Sequence, residues 1–302
     1  MLTSQDIEFF VSLAQSKSLA ATARKLNVTP PSVSQRLQAL EQKLNVKLVE
    51  RGSRAISLTL EGNVLFQEGL AVLRQIELLE DKVAEKKQAI SGKIRVVAPV
   101  GYGTERVSPL VAEFHKIHPL THIELILSDT PNWSPIDPPD VVIYIGPLKD
   151  SSLKRIILQK NRRLLLASPH YLQNAEPIHT PQDLLNHQCL VIRENDDDVT
   201  MWKLTHQTTG ESSNVRIKAS LMSNVGPVVK DWAVNGYGIM QRSEWNVANE
   251  LKDNTLQVVL PEYSFPSANI VALVSSTRDK RPAKINAFLD YIKEHLSEEA
   301  LD

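Results

Sequence analysis

Residues 18–44 read SLAATARKLNVTPPSVSQRLQALEQKL, two short helices joined by a tight turn. Ala20, Ala23 and Leu26 give the first helix a small apolar face, and Asn27-Val28 interrupts the pattern. Thr29 is placed to cap the second helix, and Pro30 and Pro31 fall in its first turn, where a missing N–H costs nothing. Val33, Leu37, Leu40 and Leu44 then recur at intervals of four, three and four residues, one buried face of a helix. The opposite face carries Pro31, Ser32, Ser34, Gln35 and Gln38, polar and uncharged at its centre. Such a face suits the floor of a DNA major groove, where amides and hydroxyls bond base edges and phosphates. The same pattern also describes the solvated face of a small helical bundle, so the flanking sequence decides.

Ahead of the pair, Ile7, Phe10 and Leu13-Ala14 mark a helix that closes a small core. Behind it, Lys47-Leu48-Val49-Glu50 and Ala55-Ile56-Ser57-Leu58 predict two short strands around Arg51-Gly52-Ser53-Arg54. This is a basic-tipped hairpin, or wing. Arg54, with Arg51 as second candidate, is placed to reach a phosphate or the narrow minor groove. Residues 1–60 hold eight Lys/Arg (17, 24, 25, 36, 43, 47, 51, 54) and four Asp/Glu (6, 8, 41, 50), a net of +4; the chain as a whole is −1, leaving −5 for the rest. The positive excess lies where DNA contact is expected, and its modest size calls for two copies acting together.

Residues 1–62 resemble the N-terminal winged helix-turn-helix of LysR-type transcriptional regulators. The motifs that carry the resemblance are Phe9-Phe10, AATARKLNVTPPSVSQRLQALEQKLNVKLVERG from Ala20 on, and Leu58-Thr59 with Glu61-Gly62. The resemblance implies DNA contacts from Thr29, Pro30, Ser34, Gln35 and Arg36 at the start and outer face of the third helix, and from Arg51 and Arg54 in the wing. Pro30 stands where the family often has a polar Gln or Ser, so contact there would be apolar, as to a thymine methyl. Gln35-Arg36 stands where many members have Arg-Gln, which leaves open which of the two reads bases.

From Leu65, apolar positions recur at Gly69, Val72, Ile76, Leu79 and Val83, with Gln, Glu, Lys and Arg between them. This is a coiled-coil-like seam, and a self-pairing linker would present two recognition helices about one turn of DNA apart, or a multiple of it. The resemblance implies that the linker pairs antiparallel between subunits, giving a homodimer that commonly assembles into a dimer of dimers. The predicted organisation is a winged helix-turn-helix over 1–60, a linker helix over 61–91, and an effector domain over 92–302.

The chain has 302 residues, enough for two or three units, and one cysteine, Cys189. A disulfide framework and a Cys-based zinc site are excluded, and a reducing compartment is expected. There is no signal-like segment at the start and no apolar run of membrane-span length, so a soluble cytoplasmic protein with no membrane partner is expected.

From Lys93 the texture changes to alternating strands (94–98, 123–127, 141–145, 164–167, 189–192, 215–217) and helices (105–116, 224–235, 282–296), the pattern of a parallel or mixed α/β sheet. The family's effector domain is similar to a two-lobed periplasmic binding protein. The resemblance covers 92–302, clearest in Asp140-Val141-Val142-Ile143, Ile145-Gly146-Pro147-Leu148, Asp150-Ser151-Ser152-Leu153, Leu166-Ala167-Ser168-Pro169 and Gly236-Tyr237-Gly238-Ile239. It implies lobe I over 92–163 and 268–302, lobe II over 164–267, and a small-molecule effector between them.

In such sheets ligands sit at the carboxyl ends of strands beside helix starts. Three loops qualify: Pro99–Thr104, Ser128–Thr130 and Met222–Asn224. Candidate effector contacts are Gly101, Tyr102, Gly103, Thr104, Thr130, Tyr144, Arg193, Ser223 and Asn224. Arg193 is suited either to a ligand carboxylate or to the acidic loop Asp196-Asp197-Asp198. The proline-broken run TPNWSPIDPP between Asp129 and Asp140, where many members carry a helix, would reshape one wall, with Trp133 either lining it or packed. A small organic anion is the expected ligand class.

Enzyme motifs are absent: no GxxxxGK[ST], HExxH or GxSxG, and Arg106 stands where a dinucleotide loop would have its third glycine. His115 and His118 lack the further ligands of a metal site, so no cofactor or metal is expected. Cys189 lies in an apolar strand as a packed residue. A ligand-responsive DNA-binding regulator accounts for both halves of the chain; the alternative is a cytoplasmic small-molecule-binding protein whose DNA binding is architectural rather than ligand-switched. On the first reading a dimer binds two pseudo-palindromic half-sites, and effector binding alters DNA bending and the access of RNA polymerase.

Overall fold

The computed structural model describes residues 1–16, 18–50, 56–85, 89–129, 138–146, 153–193 and 198–298. The chain divides into two units, one holding residues 1–88 and the other residues 89–132 and 139–302.

The first unit opens with α1 (Ser4–Ala14), capped reciprocally by Thr3 and Asp6. Helix α2 (Leu19–Lys25) starts at Ser18, whose hydroxyl accepts from Ala21 N at 3.2 Å, and ends before Asn27, which takes a left-handed φ of 54°. Helix α3 (Pro30–Leu44) follows. Thr29 occupies its cap position, but the hydroxyl makes no cap bond to the backbone; it pairs with Ser32 Oγ at 2.9 Å. Of the two N–H groups a capping oxygen seeks, the second and third of the helix, Pro31 removes the former. Phe9, Phe10, Leu13, Ala23, Val33, Leu40 and Leu48 form the buried core, with Leu37 and Leu44 packed at its margin.

Among the described residues the predicted hairpin shows an antiparallel bridge, Val49–Leu58, flanked by Glu50 N→Ser57 O at 2.8 Å and Thr59 N→Leu48 O at 3.1 Å. Glu41, buried, accepts Leu48 N at 2.9 Å and the Lys47 ammonium, tying this strand to α3. Helix α4 (Leu60–Glu85) then packs Phe66, Leu70 and Leu73 on Ile7 and Val11 of α1.

In the second unit, β1 (Gly92–Ala98) leads into an unbroken helical run made of α5 (Val100–Tyr102), a π turn (Gly103–Val107) and α6 (Ser108–Ile117). Strands β2 (Thr121–Leu127), β3 (Val141–Ile145) and β4 (Lys154–Gln159) complete the first pass. The chain crosses at Asn161 into β5 (Arg163–Ala167), α7 (Pro169–Asn174), β6 (Cys189–Ile192), β7 (Met201–His206), β8 (Ser212–Arg216) and β9 (Ala219–Ser223). There follow α8 (Gly226–Val234), β10 (Ile239–Ser243), α9 (Ala248–Lys252), β11 (Gln257–Val258) and β12 (Tyr263–Ser264). It then returns as β13 (Ile270–Val274) and α10 (Ala283–Glu298).

Two mixed five-stranded sheets result, ordered β2-β1-β3-β13-β4 and β11-β5-β10-β6-β9, with a small antiparallel sheet β12-β7-β8 beside the second. Strand β13 runs antiparallel between β3 and β4, so the last strand of the chain lies inside the first sheet. Phe114, Phe288, Ile292 and the inward residues of β1 and β3 fill one core; Leu166, Leu190, Val229 and Met240 fill the space beneath α8. Cys189 is buried, as expected of a packed residue, and burial pushes its thiol up to about 12. At the crossover, Asn161 Nδ2 donates to Ala268 O at 2.9 Å and Ser243 Oγ at 3.1 Å, joining both connecting segments.

Candidate DNA interface and effector site

On α3, Thr29, Pro30, Pro31, Ser32, Ser34, Gln35 and Gln38 are exposed together, while Val33 and Leu40 behind them are buried. The fold thus presents one polar, uncharged face, fixed by the four-three-four apolar spacing on the other side. Arg36, exposed on the same helix, also reaches across to α1. Its guanidinium lies 4.6 Å above the centre of the Phe9 ring and its Nη2 donates to Gln5 O at 2.8 Å, so it is engaged with α1. Arg51 and Arg54 lie outside the described residues.

The linker seam divides in two. Gly69 faces α1, where a Cβ would come 2.8 Å from Ile7 Cγ2, so it belongs to the packing within the unit. Val72, Leu79 and Val83 stay exposed, Leu79 at 63%, as does Val64. The apolar stripe left for a second copy is therefore displaced from the predicted one at its N-terminal end, because Leu70 and Gly69 already serve α1.

At the meeting of the two sheets, the segment Pro99–Thr104, expected as a loop, is helical from Val100 on, with Pro99 extended before it. Val100 N is capped by Asp129 Oδ1 at 2.9 Å, and Gly103 N donates to Pro99 O at 2.6 Å. Three candidates from this segment are turned elsewhere. Tyr102, 1% exposed, stacks edge-on against Trp245 and donates from its hydroxyl to Gln159 Oε1 at 3.1 Å. Gly103 is pressed onto the sheet, since a Cβ there would sit 2.3 Å from Leu127 Cδ2 and 3.0 Å from Ala98 Cβ. Thr104 donates from its hydroxyl to Val100 O at 2.7 Å, within the helix. Gly101 remains on the side facing the second sheet, near Pro227 and Arg242.

Elsewhere, Ser223 Oγ accepts Val225 N at 3.1 Å, and α8 starts at Gly226, two residues later than expected, with Asn224 exposed before it. Arg193 is exposed and rests against Met222 Sδ at 3.5 Å; Asp198, one of its expected acidic partners, pairs instead with Arg216 at 2.9 Å. Tyr144 is half-buried on β3. Thr130, Trp133, Asp196 and Asp197 lie outside the described residues.

The sequence reading missed the cluster at this junction. Arg242, on β10, is buried with 8% exposure, its Nε donating to Asn246 Oδ1 at 2.8 Å. The same amide donates through Nδ2 to both carboxylate oxygens of Glu105 in the π turn, at 3.1 and 3.2 Å. Lys230 on α8 reaches Asn246 O at 3.0 Å and Glu250 at 2.8 Å. The amide orientation is forced, since a guanidinium only donates and a carboxylate only accepts. Asn246 thereby links the second lobe to the first. The available signal was one charged residue in Ile239-Met240-Gln241-Arg242-Ser243, at the same alternation as the buried Met240 two residues before it.

A helix-turn-helix unit joined to two α/β lobes that meet at a polar, charged junction defines a ligand-responsive DNA-binding regulator. Two family descriptions cover the chain: "Bacterial regulatory helix-turn-helix protein, lysR family" matches residues 4–63 and "LysR substrate binding domain" matches residues 87–297. The chain is 34% identical over 269 residues to the HTH-type transcriptional activator TtdR of Escherichia coli K12, covering 89% of this chain and 86% of that protein. It is 30% identical over 294 residues to the HTH-type transcriptional regulator DmlR of the same organism, covering 97% and 94%. Among solved structures, the full-length Vibrio cholerae virulence activator AphB superposes with a TM-score of 0.65 at 26% identity, covering 96% of this chain and 98% of that one. A full-length variant of AphB gives 0.71 at 26% identity, covering 97% and 98%. The protein belongs to the LysR family of bacterial transcriptional regulators, which bind DNA and small-molecule effectors, form oligomers and are not enzymes. No helix among the described residues is long and apolar enough to cross a membrane.

Proposed function

We propose that the protein works in the cytoplasm as a homodimer, assembled further into a dimer of dimers, that reads two half-sites of a pseudo-palindromic operator. Residues 1–60 serve as the reading head, 61–91 as the pairing helix and 92–302 as the effector domain, with lobe I at 92–163 and 268–302 and lobe II at 164–267. Gln35 is the chief base reader, with Thr29, Pro30, Pro31, Ser32 and Ser34 along the same face and Arg51 and Arg54 on adjacent backbone. The observation that carries this reading is the single uncharged polar face of α3, exposed while the neighbouring Arg36 is docked on α1.

The effector is a small organic anion held where the lobes meet, with Gly101, Tyr144, Arg193, Ser223 and Asn224 around it. An anion suits the start of α8 and the start of the helical run from Val100, which turn positive ends toward this junction. By binding one lobe arrangement better than the other, the effector shifts DNA bending and RNA polymerase access.

Selection of bound genomic fragments with the purified full-length protein tests the DNA half. Enrichment of fragments sharing two inverted half-sites is the expected result. Uniform retention of fragments, with no shared sequence, would sink it.

A further inference from the structure

Residues 61–302 carry a net charge of −5, yet two stretches within them run the other way. Lys154–Arg163 holds five cations (154, 155, 160, 162, 163) and no acid, and Arg278–Lys284 holds four cations (278, 280, 281, 284) against Asp279. They contribute +5 and +3, which leaves −13 for the remainder. The two stretches are remote in sequence, and strand pairing brings their starts together. β13 runs antiparallel to β4 with Val274 opposite Lys154 and Leu273 opposite Arg155, so the segment leaving β13 at Ser275 lies beside the start of β4.

Register fixes which end of the sheet this is. β3 runs parallel to β1, with Val141 opposite Val96, and antiparallel to β13, with Val142 opposite Leu273. The starts of β1, β3 and β4 and the end of β13 therefore share one end of the first sheet, opposite to the end where β1 leads into the helical run at Val100. The chain enters the effector domain at that same end, through Gly92.

Local bonds then set the surface. Arg278–Lys280 is a turn of 3₁₀ helix, in which Lys280 N donates to Thr277 O at 3.0 Å; Arg281 Nε donates to Ser276 O at 3.1 Å. Arg278 is held by Asp290 of α10 in two bonds of 2.7 Å. Lys154, Arg155 and Lys280 are exposed and make no ion pair with a described residue. Ser275 and Thr277 are exposed with them.

Gathered cations repel one another, and the arrangement becomes favourable when a polyanion meets it. Its composition favours nucleic acid over protein. Lys, Arg, Ser and Thr are donors to phosphate oxygens, whereas a protein interface draws its energy from aromatic and apolar anchors at its centre, and residues 153–155 and 275–281 contain no aromatic side chain. We propose that this end of the first sheet is a second DNA contact, made to the phosphate backbone beside the site read by α3, through Lys154, Arg155 and Lys280. It reads no sequence. Tethering to a bound reading head raises the local concentration of DNA, so a few weak phosphate contacts suffice. The contact gives the effector domain a hold on the duplex outside the half-sites, through which a change within that domain reaches the path of the DNA.

The test uses the full-length protein and a long duplex of random sequence, with binding isotherms at several salt concentrations. Combining Lys154→Gln, Arg155→Gln and Lys280→Gln is expected to lower the slope of log K against log salt by about 1–3 for each protomer that reaches the DNA, since each lost phosphate contact removes about 0.9. The thermal midpoint is expected to stay unchanged, because the three side chains are exposed and unpaired. Should the combined variant fold poorly, Lys280→Gln alone carries the test, with an expected fall of about 1. A comparison variant combining Lys203→Gln, Lys218→Gln and Lys252→Gln removes three exposed lysines elsewhere in the effector domain and is expected to keep the wild-type slope. A wild-type slope in the first variant would overturn the proposal. So would an equal fall in the comparison variant, which would assign the effect to net charge rather than contact. A wild-type slope accompanied by lost activity in a reconstituted transcription assay would overturn DNA as the partner in favour of an acidic protein surface.

Discussion

Arg36 lies over the ring of Phe9, its guanidinium carbon 4.6 Å from the ring centre, while Gln35 beside it stands exposed. Two adjacent side chains on the recognition helix are thus assigned opposite duties. Gln35→Ala is expected to cost roughly 1–3 kcal/mol on the cognate site and little on random DNA. Arg36→Ala is expected to lower the stability of the DNA-binding unit by about 1 kcal/mol and to leave the ratio of cognate to random binding unchanged. Binding isotherms on both DNAs separate the two. A specificity loss in Arg36→Ala with Gln35→Ala silent would invert the assignment.

Lys43 Nζ sits 2.6 Å from Asp6 Oδ2, joining the end of α3 to the start of α1. The hydrogen bond from Lys43, with that from Thr3 N, brings the Asp6 carboxyl down to about 2. Because this value lies below the unfolded one, its stabilisation is present above about pH 4 and declines as pH falls toward 2. Asp6→Asn is expected to cost about 1–2 kcal/mol at pH 7, from the weakened capping box and ion pair, and to flatten acid sensitivity in that window. Urea midpoints at pH 7 and pH 3 provide the check.

Along α4 the two halves of the apolar pattern predict different failures. Leu79→Glu, on the exposed stripe, is expected to shift the sizing profile from dimer toward monomer with little loss of fold. Gly69→Leu, which faces Ile7, is expected to destabilise the DNA-binding unit by roughly 1–3 kcal/mol through overpacking. An intact dimer in Leu79→Glu would place assembly on other surfaces.

His187 is buried, and its Nδ1 stands 3.1 Å from the hydroxyl of Tyr171, which itself accepts Gln188 N at 3.0 Å. The bond between Nδ1 and the hydroxyl runs in either direction according to the tautomer, and the imidazole buries its Nε2 without a hydrogen-bond partner among the described residues. Burial holds its pKa below the ordinary value of 6.5, against weaker opposing pulls from Glu176 and Asp183. The unfolded chain takes up the proton first, so stability is full above about pH 6.5 and declines as pH drops below it. His187→Gln is expected to lose less stability between pH 7.5 and 5.5 than wild type. Equal losses by urea titration would assign the dependence to other groups.

The front of the chain was legible because its information is local. Caps, a broken apolar period and a polar face all lie within one segment of sequence, and the packing of Val33 and Leu40 follows from spacing alone. The effector region was legible only as alternation. Nothing near Ile270–Val274 says that this strand inserts between β3 and β4, since that pairing closes across more than a hundred residues. Arg242 was invisible for the same reason. Its meaning comes from Gly101, Gly226 and a carboxylate 141 positions from Asn246. Conversely, Pro99–Thr104 read as a loop beside a helix start, but Gly103 is small so that a helix can lie close on the sheet.

The late return of β13 sets an order on synthesis. The DNA-binding unit and most of lobe II can close while the ribosome is still elongating, but the first sheet waits for a strand some 270 residues from the start. A chain that terminates early is therefore left able to occupy an operator and unable to respond there. Such fragments would compete with the whole regulator as dominant, signal-blind occupants, which makes premature termination in the last third of the gene more harmful than its complete loss.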